Sequence, residues 1–162
     1  KFGNNNSYCQ DNITAWLDWR MLEKNKDLFE FFKFMIAFRK KHPVIHKQLP
    51  ASVCGMDPFH THNLNAEETD IPRDARTFCV SFAGYDKEKG KDDLIYVAVN
   101  TFWEDVTITL PNLHRRGAWH LSVNTYGDGN GQYCYPEGQE VRIDRSFVMR
   151  PRSVAVFTGR DY

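Results

Sequence analysis

The residues best suited to chemistry lie at the beginning of the sequence, in the segment KFGNNNSYCQDNITAWLDW. This segment supplies amides, a phenol and a carboxylate from Asn4, Asn5, Asn6, Tyr8, Gln10, Asp11 and Asn12. Such groups match sugar hydroxyls, which both donate and accept hydrogen bonds, and Tyr8, Trp16 and Trp19 offer flat apolar faces to a pyranose ring. The alternative is a polar loop that satisfies its own backbone and is anchored to a core by its tryptophans.

Signatures of other chemistry are missing from the sequence. It contains no G-x-S-x-G, no H-E-x-x-H and no phosphate-binding glycine loop. The glycine-rich stretch YGDGNGQ (126–132) lies between strand patterns, which favours a hairpin turn. His60, His62 and the nearby Asp57 could imitate a metal site, but alternating histidines in a proline-bounded loop are usually solvated. We therefore expect no metal and no cofactor.

Composition narrows the class of protein. Lys plus Arg and Asp plus Glu balance at 21 each, and the pI is about 7.2, so no basic footprint for nucleic acid is present. No apolar run approaches the ~20 residues of a membrane span. The cysteines form no C-x-x-C pair, and nothing suggests secretion, so we expect free thiols and a cytoplasmic location. They are Cys9, Cys54, Cys79 and Cys134.

A strong helix must follow the opening segment. Asp27 is a suitable N-cap with Glu30 three residues later, and His42-Pro43 ends the helix after three basic residues. Apolar residues over 28–38 occupy more than half of its circumference, whereas an ordinary surface helix has an apolar stripe of ~100°. The helix therefore needs cover on two sides, and a small sheet supplies only one.

The rest of the chain predicts a mainly β fold. Residues 50–75 are proline-rich and aperiodic, which indicates an irregular connection, and residues 76–162 alternate with period two between turn-rich stretches. This pattern is typical of an antiparallel β-sandwich. Trp103 and Trp119 lie in or beside strands, which favours the core. The aliphatic residues expected to be buried are Val80, Val97, Ile108, Leu121 and Val156.

Three stretches resemble the isoamylase and glycogen-debranching (pullulanase-like) branch of the α-amylase clan. In that family an N-N-N-x-Y-x-Q-D-N-x-x-x-W-x-D-W stretch, matched by NNNSYCQDNITAWLDW, follows the eighth barrel strand. A helix ending in R-x-x-H-P, matched by FMIAFRKKHPV, then closes the barrel. VNTFWEDVTITLP resembles the N-x-x-W strand pair of the family's sandwich, with Asn100 and Trp103 in register.

The resemblance implies the architecture and the role of the chain. Residues 1–49 would be the remnant of a (β/α)8 barrel, namely an active-site rim loop and the last helix. Residues 50–75 would be an irregular connection, and residues 76–162 would be the C-terminal sandwich. The family's reaction is retaining hydrolysis of α-1,6-glucosidic branch points by two carboxyl groups at the ends of earlier barrel strands. Those motifs are not in this sequence, so we expect no catalytic residue here and no activity from this chain alone. The residues that match motif positions near the substrate cleft are Asn6, Tyr8, Gln10 and Asp11.

The resemblance also implies partners. These are an α-glucan, either glycogen or a starch-derived oligosaccharide, bound through the parent enzyme, and an upstream catalytic barrel. Self-association through the apolar helix face (28–38) is a further expectation. The alternative function is a non-catalytic carbohydrate-binding or structural sandwich, which usually displays exposed aromatic residues. The loop residues Tyr133 and Tyr135 are then the candidates for such a platform.

Overall fold

The computed structural model describes residues 8–68, 70–113 and 117–160. The chain divides into two compact units, Lys1–Met35 and Ile36–Tyr162. The described part of the first consists of turns followed by helices, and the second is mainly β. The fold class predicted from the sequence is thus confirmed as mainly β with an antiparallel sheet.

Two helices follow the opening segment. Helix α1 (Met21–Lys24) is a single turn, and helix α2 (Lys26–Lys41) begins one residue before the predicted cap at Asp27. Helix α2 ends before His42-Pro43, as the sequence predicts, because proline disfavours helical geometry in the residue before it. The division between the two units falls inside α2, between Met35 and Ile36.

The apolar residues of α2 are only partly covered. Leu28, Phe29, Phe32 and Ile36 are 48–58% exposed, whereas Phe38 near the end of the helix is buried. Four large apolar side chains on one short helix therefore face solvent over about half of their surface. This is the exposure that the wide apolar circumference of the helix predicts.

Eight strands form two sheets in the part of the chain that the structure describes. They are β1 (Phe59–His62), β2 (Thr77–Asp86), β3 (Lys91–Asn100), β4 (Val106–Thr109), β5 (Ala118–Asn124), β6 (Val141–Ile143), β7 (Ser146–Met149) and β8 (Ser153–Arg160). The larger sheet has the order β1-β2-β3-β8-β5-β6 with antiparallel pairs throughout, and β4 pairs with β7 in the smaller sheet. Strand β1 falls inside the stretch predicted as irregular, because its sequence FHTH has no apolar alternation to reveal it.

The core lies on the face of β2 that carries small residues. Cys79, Ser81 and Ala83 are at most 2% exposed, whereas Val80 on the opposite face is half-buried. The expectation that Val80 and Val97 are fully buried is therefore wrong, since they pair across β2 and β3 on the less covered face. The other three expected core residues, Ile108, Leu121 and Val156, are buried.

The smaller sheet covers this core face. Ile108 of β4 and Met149 of β7 are fully buried in the cluster that contains Tyr96, Trp119 and Phe157 of the larger sheet. Trp119 is 2% exposed, and its indole N–H donates to the carbonyl oxygen of Pro111 at 2.8 Å. Its expected core position is confirmed, and two sheets with a hydrophobic core between them make this unit a sandwich.

Two neighbouring aspartates of β3 attach other segments to the sheet. Asp93 accepts hydrogen bonds from Nδ1 of His42 at 2.6 Å and from the amide of Val44 at 3.1 Å. Asp92 accepts from the amides of Val53 and Cys54 at 2.8 and 2.7 Å. Because successive strand residues point to opposite faces, the pair holds one segment on each side of the sheet.

Candidate functional site

The described part of the opening segment, from Tyr8 onward, keeps its polar side chains accessible. Tyr8 is 84% exposed, and Gln10 and Asp11 are also exposed. Asn6, the fourth predicted substrate-binding residue, lies outside the described residues, as do Asn4 and Asn5. Three of the four predicted site residues are therefore placed in one accessible stretch.

Local hydrogen bonds organise this stretch into a turn. The Asp11 carboxylate accepts from the indole N–H of Trp16 at 2.6 Å, and the Asn12 side-chain oxygen accepts from the amide of Thr14 at 2.9 Å. The Asn12 side-chain amide also donates to the oxygen of Gln10 at 3.4 Å. The polar groups thus serve the loop itself, as one interpretation of the sequence proposed, while remaining accessible to a ligand.

The tryptophans of the segment do not anchor it to a core. Trp16 and Trp19 are 60% and 73% exposed, so both indoles offer surface to a flat apolar ligand. Between them, Asp18 binds Arg20 through two hydrogen bonds of 2.8 and 2.9 Å. The hydrogen bonds from Arg20 hold the pKa of Asp18 below its usual range, so this carboxylate is ionised at neutral pH.

An apolar groove of about 410 Å³ lies within the first unit. All but two of its lining side chains are hydrophobic, and it receives contributions from the opening segment, α1 and α2. The lining residues are Leu17, Asp18, Trp19, Met21, Leu22, Asn25, Leu28, Phe29 and Phe32. A groove of this composition is suited to packing against an apolar surface more than to holding a polar ligand.

The histidine pair lines a separate cleft of about 340 Å³ in the second unit. His62 is buried, with Nδ1 at 2.8 Å from the Ala66 carbonyl oxygen and Nε2 at 2.9 Å from the Ser81 hydroxyl, and burial lowers its pKa. Nδ1 of His60 lies 3.6 Å from the Asp57 carboxylate. Among the described residues, no group of three His, Cys, Asp or Glu side chains could hold a metal ion. His62 is therefore a structural residue of the sandwich.

All four cysteines are free thiols in this structure. Burial raises the pKa of Cys79 to about 11 and also raises the pKa of Cys54 and Cys134. Because the thiolate is the reactive form, these three thiols are unsuited to nucleophilic chemistry at neutral pH.

The exposed aromatic residues of the sandwich match the sequence-based expectation only in part. Tyr135 is 7% exposed and so belongs to the core, while Tyr133 is 36% exposed. Trp103, expected in the core, is 57% exposed, and Tyr126 is 50% exposed. A signal was available for Trp103, since it follows the strand LIYVAVN in a polar connection and has no alternating neighbours.

Comparison with curated proteins gives related sequences over most of the chain. It is 26% identical over 142 residues to isoamylase of Pseudomonas amyloderamosa, covering 86% of this chain and 18% of that protein. It is 30% identical over 128 residues to isoamylase 3, chloroplastic, of Oryza sativa subsp. japonica, and the match covers 77% of this chain and 15% of that protein. A glycogen operon protein GlgX homolog of Mycobacterium bovis is 42% identical over 48 residues, and the match covers 30% of this chain and 7% of that protein. The chain thus spans less than a fifth of the length of these relatives.

A solved structure shares the fold. The type I pullulanase of Bacillus subtilis, crystallised with maltose, superposes with a TM-score of 0.56 at 16% identity, covering 88% of this chain and 17% of that one. No protein-family model matches the sequence. Within the described residues, none of the helices is long and apolar enough to cross a membrane.

Proposed function

Since the chain is related over most of its length to isoamylases and resembles glycogen debranching enzymes, we propose that it is the C-terminal part of a debranching enzyme. The parent enzyme hydrolyses α-1,6-glucosidic branch linkages of glycogen or a starch-derived glucan in the cytoplasm. Residues 1–49 complete the rim of its catalytic barrel, and the carboxylates that act as nucleophile and acid come from the preceding part of the parent protein.

The exposed opening segment carries this proposal. Its polar groups on Tyr8, Gln10 and Asp11, which can hydrogen-bond to sugar hydroxyls, lie in the same exposed stretch as two exposed indoles, Trp16 and Trp19. The bond from Trp16 to Asp11 fixes one indole against one carboxylate, so a sugar ring could stack on the first while a hydroxyl donates to the second. Such a combination of a flat apolar face and oriented polar groups is what recognition of a pyranose requires.

The apolar groove supports the same proposal. A barrel helix must pack against barrel strands, and the exposed Leu28, Phe29 and Phe32 supply an apolar surface for that contact. Because each of these side chains is already about half buried, completing its burial contributes roughly half of the ~1.5–3 kcal/mol that a fully exposed side chain would gain. The upstream barrel is accordingly the partner that we assign to this face in the parent enzyme.

Activity assays test this function. The chain alone should release no reducing sugar from pullulan or glycogen, whereas the full-length parent protein should. In the parent, Tyr8→Ala or Gln10→Ala should lower kcat/KM by ~3–10-fold, because each removes a hydrogen bond worth ~0.5–1.5 kcal/mol. Lys24→Ala, at an exposed residue of α1, is the control and should leave kcat/KM unchanged.

Two results would contradict the proposal. Turnover by the isolated chain that disappears when one of its own acidic residues is substituted would place catalysis here. A full-length protein that leaves branched glucans intact would favour the alternative of a non-catalytic carbohydrate-binding sandwich.

A further inference from the structure

Four strand ends meet at one end of the larger sheet. Strands β2 and β8 begin there, and β3 and β5 end there, as the registers Thr77–Asn100 and Asn100–Ser153 fix. The connections at this end carry Arg76, the loop 101–105, Tyr126 and Arg150. The hairpin that joins β2 to β3 lies at the other end, ~33 Å away along ten-residue strands.

A buried asparagine holds the loop 101–105 in one conformation. Asn100 is 1% exposed, and its amide donates to the carbonyl oxygens of Glu104 and Arg150, both at 3.0 Å. Its side-chain oxygen accepts from the amide of Phe102 and from the hydroxyl of Thr77, again at 3.0 Å. These bonds tie the loop to the start of β2 and to the turn before β8, so its aromatic residues are pre-positioned.

Exposed aromatic rings and arginines make up the surface of this end. Trp103 is 57% exposed, its ring centroid lies 4.4 Å from that of Phe102, and the Arg76 guanidinium lies 4.5 Å from the Trp103 ring. Tyr126 is 50% exposed, with the Arg150 guanidinium 5.1 Å from its ring. Arg150 also binds the Asp105 carboxylate at 2.5 Å. We call these residues the aromatic–arginine surface: Arg76, Phe102, Trp103, Asp105, Tyr126 and Arg150.

This surface is unusual for a protein that only needs to stay folded. The contacts of these rings with Arg76 and Arg150 contribute to stability, yet Trp103 and Tyr126 keep half or more of their area in water. Because the loop and the stacked guanidinium groups are already held in place, a ligand that binds there has fewer side chains to order, and the entropic cost of binding is lower. The combination is that of a site prepared for a ligand with flat apolar faces and many hydroxyls.

We propose that the aromatic–arginine surface is a binding site for α-glucan chains, separate from the opening segment. The C–H face of a glucosyl unit stacks on Trp103, and its hydroxyls donate to Asp105 and accept from the arginines. The choice of α-glucan rests on the proposed function. Nucleic acid is disfavoured because Asp105 and the neighbouring Glu104 would repel phosphates and Asp105 already pairs with Arg150.

Titration of the 162-residue chain with maltoheptaose, followed by NMR of the indole N–H signals, tests this proposal. The Trp103 signal should shift, and Trp103→Ala should weaken binding by about fivefold or more, as expected for loss of an aromatic stacking partner. Tyr126→Ala should weaken it less. Phe59→Ala removes an equally exposed aromatic ring (57%) from β1 and is the matched control that should bind as the wild type does.

The outcomes of this titration test the surface site independently of the activity of the parent enzyme. Unchanged affinity in Trp103→Ala, shifts confined to Trp16 and Trp19, or no saturable binding would overturn the surface site even if the full-length enzyme debranches glucans. Binding that depends on Trp103 would support the site even if that enzyme proved inactive. An amide spectrum of Trp103→Ala that matches the wild type away from the loop shows that the variant is folded.

Discussion

His62 is buried on strand β1 with both ring nitrogens hydrogen-bonded. Its neighbours on the core face include Ser81 and the ring of Tyr96, whose centroid lies 5.3 Å away. Burial penalises the protonated ring, which lowers the pKa of His62 from its ordinary value. A neutral imidazole can donate to Ala66 and accept from Ser81, whereas a protonated one can only donate.

Stability should therefore fall at mildly acidic pH. In the unfolded state His62 has its ordinary pKa of about 6.5. Below that pH the unfolded state therefore binds more protons than the native state, and the free energy of unfolding decreases as pH falls. Denaturant melts at pH 7.5 and 5.0 should show a smaller pH-dependent loss in His62→Gln than in the wild type.

Two other histidines bear on that experiment, one as a second contributor to the pH dependence and one as a control. His120 is buried and its pKa is also lowered by burial, so part of the pH dependence should persist in His62→Gln. The exposed His46 is the control, and His46→Gln should behave as the wild type does. An equal loss of stability between the two pH values in wild type and His62→Gln would refute the role assigned to His62.

At the scale of elements, the end of helix α2 is attached to the sheet by Asp93. This aspartate is buried on β3 and accepts from both His42 and Val44, the residues that follow the helix. A second link, from Lys41 to Glu137 at 2.6 Å, joins two exposed side chains. Exposed ion pairs contribute little, whereas loss of a buried acceptor leaves its donors unsatisfied.

Asp93→Ala should accordingly destabilise the chain by ~1–3 kcal/mol, while Glu137→Gln should change stability by less than ~1 kcal/mol. Urea melts measure both effects. Hydrogen exchange at the Val44 amide should also accelerate in Asp93→Ala, because that amide loses its acceptor. Equal effects of the two substitutions would show that the helix end is held by other contacts.

At the scale of the whole molecule, the uncovered face of α2 is the dominant feature. Leu28, Phe29 and Phe32 line the apolar groove and stay about half exposed. Contiguous apolar patches beyond a few hundred Å² are rare on monomers. We propose that this face, to which we assigned the barrel as partner, mediates self-association when the chain is isolated.

Light scattering across a concentration series should show a mass above 19.0 kDa that rises with concentration. Phe32→Glu should return the chain to the monomer mass, because a charge in the contact carries a desolvation penalty. Val148→Glu, at an exposed residue of β7, is the matched control and should associate as the wild type does. A monomeric wild type at the highest concentration would contradict the proposal.

Local signals in the sequence determined the elements of this protein. The run from Asp27 to His42-Pro43 predicted helix α2 to within two residues at its start, where Asp27 lies in the first turn instead of capping it, and correctly at its end. Alternation predicted the long strands of the larger sheet, since period two follows from strand geometry alone. The opening motif located the exposed polar segment, and its likeness to debranching enzymes accords with the related sequences.

Only the tertiary structure decided which faces are covered. On β2 the alternation of Phe78, Val80 and Phe82 with Cys79 and Ser81 favours the large apolar set for the core, yet the small set is the one that is fully buried. The side that also had to accommodate Tyr96, Trp119 and Phe157 received the small residues, because a close-packed core has a fixed volume. Likewise, Trp103 lies at the surface because Asn100 fixes its loop through bonds to Thr77 and Arg150, residues distant in sequence.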